Sequence, residues 1–174
     1  MKNNKGKTEV LAINLRGQTN MIKIKITDEG KQIVLKPKQH IKILGVYIDD
    51  KLNWTKQVNY VKRKSMNVTR NIHRINYLLP IKQKVHLYNA LISPQFDYAD
   101  IIWGGCGKVN SQRLQIVQNF AAKSITGNKK FDSATKSLTK LKYLKWDQRH
   151  IHETVFTHKS LLFMNPDQIN NTYL

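Results

Sequence analysis

Acid is scarce in this sequence. Eleven Asp and Glu stand against 30 Lys and Arg over 174 residues, leaving a formal net charge of +19. Cysteine is scarcer still. Cys106 stands alone, which excludes an internal disulfide framework and a cysteine-built zinc site. No apolar run approaches the ~18 residues of a membrane span. The opening MKNNKGKTEV has no apolar core of the kind a secretory leader carries, so neither a leader nor a membrane partner is expected. Internal repeats and low-complexity segments are missing too. What remains is a globular composition, 40% hydrophobic and 24% charged, in a chain long enough to bury a core.

A cationic surplus of this size repels itself unless a polyanion offsets it, and nucleic acid and anionic membrane are the usual polyanions. Composition supplies a blander contribution. Lys outnumbers Arg by 24 to 6, and Lys, Asn and Ile make up a third of the chain, as A/T-rich codons would produce. Position along the chain separates the two accounts. From Lys51 through Phe96 no acid occurs in 46 residues, whereas nine Lys and Arg do. A solvated helix usually mixes both signs, so a one-sign stretch points to contact with an anion.

The order of elements reads as α+β, strands first and helices afterwards, with a boundary between residues 52 and 53. Residues 10–14 form a short apolar run. Residues 21–26 alternate with period two, setting Ile22, Ile24 and Ile26 opposite Lys23 and Lys25. Asp28, Glu29 and Gly30 supply turn chemistry, and residues 31–35 are placed to return as a hairpin partner. After Pro37, residues 41–48 read as one last strand, with a bulge or close approach at Gly45.

Near Asn53 the apolar spacing becomes helical. Val58, Val61, Val68, Ile72, Ile75 and Leu79 recur in steps of three and four, with Ser65 in the one gap. Asn53 is a candidate N-cap and Pro80 a stop. At about 100° per residue, Lys56, Arg63, Arg70 and Arg74 fall opposite that stripe. Further helices are expected over 81–92, resuming beyond Pro94 to Trp103, then over 111–126, 133–141 and 146–164. Between them, residues 104–107 form a turn. Leu114, Val117, Ala121 and Ile125 point inward from the third helix, which Gly127 ends.

Several strings imitate catalytic motifs. Tyr47-Ile48-Asp49-Asp50 has the Tyr-x-Asp-Asp pattern of polymerase sites. That chemistry needs two metal ions about 3.5–4 Å apart, held by carboxylates from separate strands. Only Glu9, Asp28 and Glu29 precede it, and the chain after Asp50 leads into a helix rather than a returning strand, so a strand end is expected. Asp97-Tyr98-Ala99-Asp100 lacks the second adjacent acid. His152-Glu153 lacks the second histidine of a zincin helix, and Gly104 to Lys108 lacks the hydroxyl and glycine spacing of a phosphate loop. Among the aromatics of the basic segment, Trp54 and Tyr88 read as structural, and Tyr60, near the basic side, is the better candidate for stacking on a base.

A family resemblance runs along nearly the whole chain. Leu44-Gly45-Val46 with Asp49, followed by Leu52-Asn53-Trp54, resembles a block of the non-LTR (LINE-type, jockey-like) retrotransposon reverse transcriptases. The similar order continues through Leu79-Pro80, Lys84, Leu87-Tyr88, Ala90-Leu91-Ile92, Pro94, Asp97-Tyr98 and Trp103-Gly104. It runs on through Leu114, Gln118, Ala121 and Ile125, then Leu138, Leu141, Leu144 and Arg149. Upstream, Lys7-Thr8-Glu9-Val10 is similar to the strand after the family's catalytic aspartates.

The resemblance implies the end of a palm over 1–52 and a helical thumb and linker over 53–174. The palm's metal-binding aspartates would lie outside this sequence, so Asp49 and Asp50 would not be the metal site. Mg2+ is then expected only for the complete polymerase, with no cofactor here, and catalysis by this chain alone is in doubt. The expected partner is an RNA template–DNA primer duplex or another nucleic acid, in the nucleus or the cytoplasm. Lys56, Arg63, Arg70 and Arg74 would meet its phosphates, Lys62, Lys64, Lys82 and Lys84 would add field, and Tyr60 would stack. The alternative is a stand-alone, non-enzymatic RNA- or DNA-binding protein derived from such an element.

Overall fold

A computed structural model of the chain describes residues 8–13, 24–28, 31–129 and 131–163. Among them the order is strands, then helices: an α+β fold, as the pattern implied. The chain separates into two units, Met1–Gln57 and Val58–Leu174. No helix among the described residues is long and apolar enough to cross a membrane.

In the first unit, β1 (Ile24–Asp28) pairs antiparallel with β2 (Lys31–Leu35), Ile24 opposite Leu35 and Asp28 opposite Lys31. This is the hairpin that the alternation and turn chemistry implied. Residues 21–23, Glu29 and Gly30 lie outside the described residues, as does Asn14. The run expected over 10–14 contributes one parallel bridge, Leu11 with Lys38. It is fastened by the Lys38 N–H donating to the Val10 carbonyl (2.8 Å) and by an ion pair of Lys38 with Glu9 (2.6 Å).

The single strand expected over 41–48 is instead a second hairpin. β3 (His40–Ile43) pairs with β4 (Val46–Asp49), Ile43 directly opposite Val46. The two loop residues, Leu44 and Gly45, both have positive φ, 46° and 88°. That is the backbone a tight two-residue hairpin loop demands, and glycine at the second position adopts it without strain. The unbroken apolar run Ile43-Leu44-Gly45-Val46 hides the change of phase in the sequence.

Helix α1 (Thr55–Arg74) starts where predicted. Its apolar stripe is buried at Val58, Val61 and Ile72, and the polar gap at Ser65 is buried as well. Ser65 donates to Gln95 (3.3 Å), and Thr69, also buried, returns its hydroxyl to the Ser65 carbonyl (2.8 Å). The helix closes at Arg74, short of Pro80. A 3₁₀ turn over Asn76–Leu78 follows, with Ile75 44% exposed. Pro80 instead precedes α2 (Ile81–Leu91), where its missing N–H costs nothing.

The remaining helices are α3 (Ser93–Asp97), α4 (Asp100–Trp103), α5 (Lys108–Thr126), α6 (Ala134–Leu141) and α7 (Trp146–Phe163). Leu114, Val117, Ala121 and Ile125 are buried on α5, which ends at Gly127 with φ 74°. Aromatic rings fill the centre of this unit. Trp103 stacks on Trp146 at 5.5 Å between centroids, Phe96 tilts against Trp146 at 5.6 Å, and Tyr88 stacks on Tyr143 at 4.8 Å. Such pairs bury large apolar area and fix ring geometry as well.

Candidate nucleic-acid interface

The cationic face is built by the same periodicity that builds the core. Burying one stripe of α1 turns the opposite positions outward, and Lys56, Arg63, Arg70 and Arg74 are exposed there. Lys64 is exposed and Lys62 half-buried on the flanks. Arg63, Arg70 and Arg74 have no acid within ion-pair distance among the described residues. Lys56 is engaged within its own unit. Its ammonium lies 5.1 Å from the centre of the Tyr47 ring and contacts Nε2 of His40, while Lys42 approaches the same ring at 5.2 Å. Tyr60 is half-buried, with a partner of its own.

On α2 the two lysines part company. Lys82 is exposed, but Lys84 is only 8% exposed. Lys84 lies one helical turn before Tyr88, which is 2% exposed, and so shares the buried side of α2. This corrects its expected place in the surface field: most of the side chain is packing.

The Tyr47–Asp50 string is structural in its details. One carboxylate oxygen of Asp49 accepts the N–H groups of Lys51 (3.2 Å) and Asn53 (3.1 Å), and the other accepts that of Trp54 (2.8 Å). Asn53 then accepts the Thr55 N–H (3.0 Å), and Gln57, 2% exposed, accepts that of Tyr47 (3.0 Å). The Asp49 bonds hold a loop in which Leu52 and Trp54 take positive φ, and Asn53 satisfies the first N–H of α1. A carboxylate engaged by three amides does not fit a metal-ligand role. No cluster of three or more His, Cys, Asp or Glu is placed to hold a metal among the described residues.

The second acidic string is also structural. Asp97 pairs with Arg149, which donates to Ser93 as well (2.8 Å). Asp100 is 5% exposed and lies 3.5 Å from Nδ1 of His150. Burial raises the carboxyls of Asp97 and Asp100 above their ordinary value, while Arg149 and His150 respectively pull them down. Burial likewise pushes the Tyr88 hydroxyl up to about 12. Arg149 and His150 thereby fasten α7 to α3 and α4. Gly104 makes the fit possible: a Cβ there would overlap the His150 ring and lie 2.6 Å from the Asp100 carbonyl.

One more feature has no local signal in the sequence. A half-open groove of about 590 Å³ is lined by His73 from α1, by Ile116, Asn119, Phe120, Lys123 and Ser124 from α5, and by Asn128 and Lys129 beyond it. His73 shares a hydrogen bond with Ser124 (2.9 Å) and packs against Phe120 at 5.4 Å. No local pattern announces a site whose two halves lie 51 residues apart.

The chain is thus an α+β protein whose first long helix exposes cations of one sign. Part of it is similar to the probable RNA-directed DNA polymerase from transposon X-element of Drosophila melanogaster, 29% identical over 89 residues. The match covers 49% of this chain and 10% of that protein's length. It supports a region related to reverse transcriptases. No protein-family profile matches the chain, and no solved structure does.

Proposed function

We propose that this chain is the thumb-side part of a non-LTR retrotransposon reverse transcriptase and that it holds the template–primer duplex. The observation that carries this is the outer face of α1, where Arg63, Arg70 and Arg74 stand exposed with no acid partner among the described residues. The similarity to a transposon RNA-directed DNA polymerase supports the same reading. Lys64 and Lys82 add to the field. Contacts of this kind position a duplex without reading its sequence. An RNA–DNA hybrid is gripped through its shape, backbone and 2′-hydroxyls, which suits a helix without base-reading forks.

The test is binding of the full chain to an RNA–DNA hybrid as salt is raised from about 50 to 200 mM. Log affinity should fall linearly with log salt, by about 0.9 for each phosphate neutralised. Combining Arg63→Gln, Arg70→Gln and Arg74→Gln should weaken binding and flatten that slope by about 1 per residue. A flat salt dependence in the parent chain, or an unchanged slope in the triple variant, removes the reading.

A further inference from the structure

The groove between α1 and α5 is unused by the duplex grip. Its floor is mostly apolar, with the Phe120 ring half-buried and Ile116 56% exposed at its rim. Its charged lining is cationic, Lys123 and Lys129, and no acid lines it among the described residues. Asp132, three residues beyond Lys129, commits its carboxylate to the Lys129 backbone N–H (2.6 Å). The two amides are turned in complementary ways. Asn119 receives Gln115 Nε2 on its oxygen (2.8 Å), which leaves its NH2 as a donor. Asn128 donates to Ser137 (2.8 Å), which leaves its oxygen as an acceptor.

An aromatic face, an apolar rim, a donor and an acceptor, and cations at the margin together match an unpaired nucleotide. Base stacking on an aromatic ring tolerates any sequence, and the backbone needs only positive charge. The volume is that of a small-ligand site, about 300–1,000 Å³. Its position agrees with that occupant, because His73, which lines the groove, adjoins Arg74 in α1 and so places the groove beside the cationic face.

We propose that the groove holds an unpaired nucleotide of a strand that runs off the duplex, its base on Phe120 and its phosphates toward Lys123 and Lys129. This rests on the duplex-gripping reading for the approach of the strand, but it has a separate readout. Affinity is measured for a blunt RNA–DNA hybrid and for the same hybrid carrying a short oligo-U overhang. The parent chain should prefer the overhang. Phe120→Leu, which keeps apolar bulk and removes the aromatic face, should reduce that preference about fivefold or more while sparing blunt binding. Ile116→Gln, at an exposed rim position, should reduce it with the core intact.

Equal affinity of the parent for both hybrids overturns the proposal. So does a preference that survives both substitutions, or blunt and overhang binding that fall together. A change in self-association, measured by sedimentation, with the preference unchanged would assign the groove to a second copy of the chain and also overturn it. If the Arg63, Arg70 and Arg74 substitutions leave blunt binding intact while Phe120→Leu removes the overhang preference, the duplex reading fails and the groove stands. A chain that binds neither hybrid overturns both.

Discussion

At the residue scale, a few side chains do work that their motifs do not advertise. Asp49 binds three backbone N–H groups just ahead of α1. Asp49→Ala should therefore cost about 1–2 kcal/mol, read as a lower urea midpoint, with Asp49→Asn milder because it keeps an acceptor. An unchanged midpoint for the alanine variant would contradict the assignment. Gly104 matters for space alone, since its φ of −64° suits any residue. Gly104→Ala should cost about 1–3 kcal/mol by forcing the His150 ring away, whereas Gly105→Ala, with open space around it, should cost far less. Equal losses at the two glycines would sink that account.

At the element scale, legibility followed the source of the signal. The starts and stops of α2 and α6, the stop of α5 and the start of α7 were readable because Pro80, Gly127 and the apolar spacing are local signals, whereas α5 begins at Lys108, three residues ahead of the expected 111. The end of α1 was not, since the helical spacing persists through Ile75 and Leu79 although the helix has closed at Arg74. The β3–β4 hairpin was hidden by its own apolar turn. The cationic face could be read because a single helix carries it, whereas Lys84 could not be placed, because packing against other elements decides which side of α2 is buried.

Packing of α7 also carries a pH consequence. The folded-state value of the Asp100 carboxyl is raised by burial, so its contribution to stability is complete below the ordinary 3.8 and is lost as pH rises through the raised value. Asp100→Asn, neutral at every pH, should match or exceed the parent's stability at pH 7 and lose that advantage in acid. Urea denaturation at the two pH values checks this. A variant that is weaker at pH 7 but not in acid would reverse the sign.

For the whole molecule, charge acts in two opposite directions. At a net +19 the free chain repels itself, and salt screens that repulsion. Raising salt from about 50 to 200 mM should therefore raise the thermal midpoint of the free chain while it lowers affinity for a hybrid. A midpoint that falls with salt would mean that ion pairs outweigh repulsion. The residues that carry the family resemblance belong largely to the packing of the helical unit. Tyr88 stacks there, Trp103 lies against Trp146, Gln118 donates to the Leu144 carbonyl (2.8 Å), and Arg149 ties down Asp97. The resemblance is thus carried chiefly by residues that pack the helices together.

The loop held by Asp49 bears on how an experiment with this protein is interpreted. An aspartate-to-alanine change in a Tyr-x-Asp-Asp string is a natural control for lost metal catalysis. Here the same change would loosen the loop that leads into α1. A weakened Asp49→Ala protein would report the loss of that loop's hydrogen bonds, and adding magnesium would not restore it.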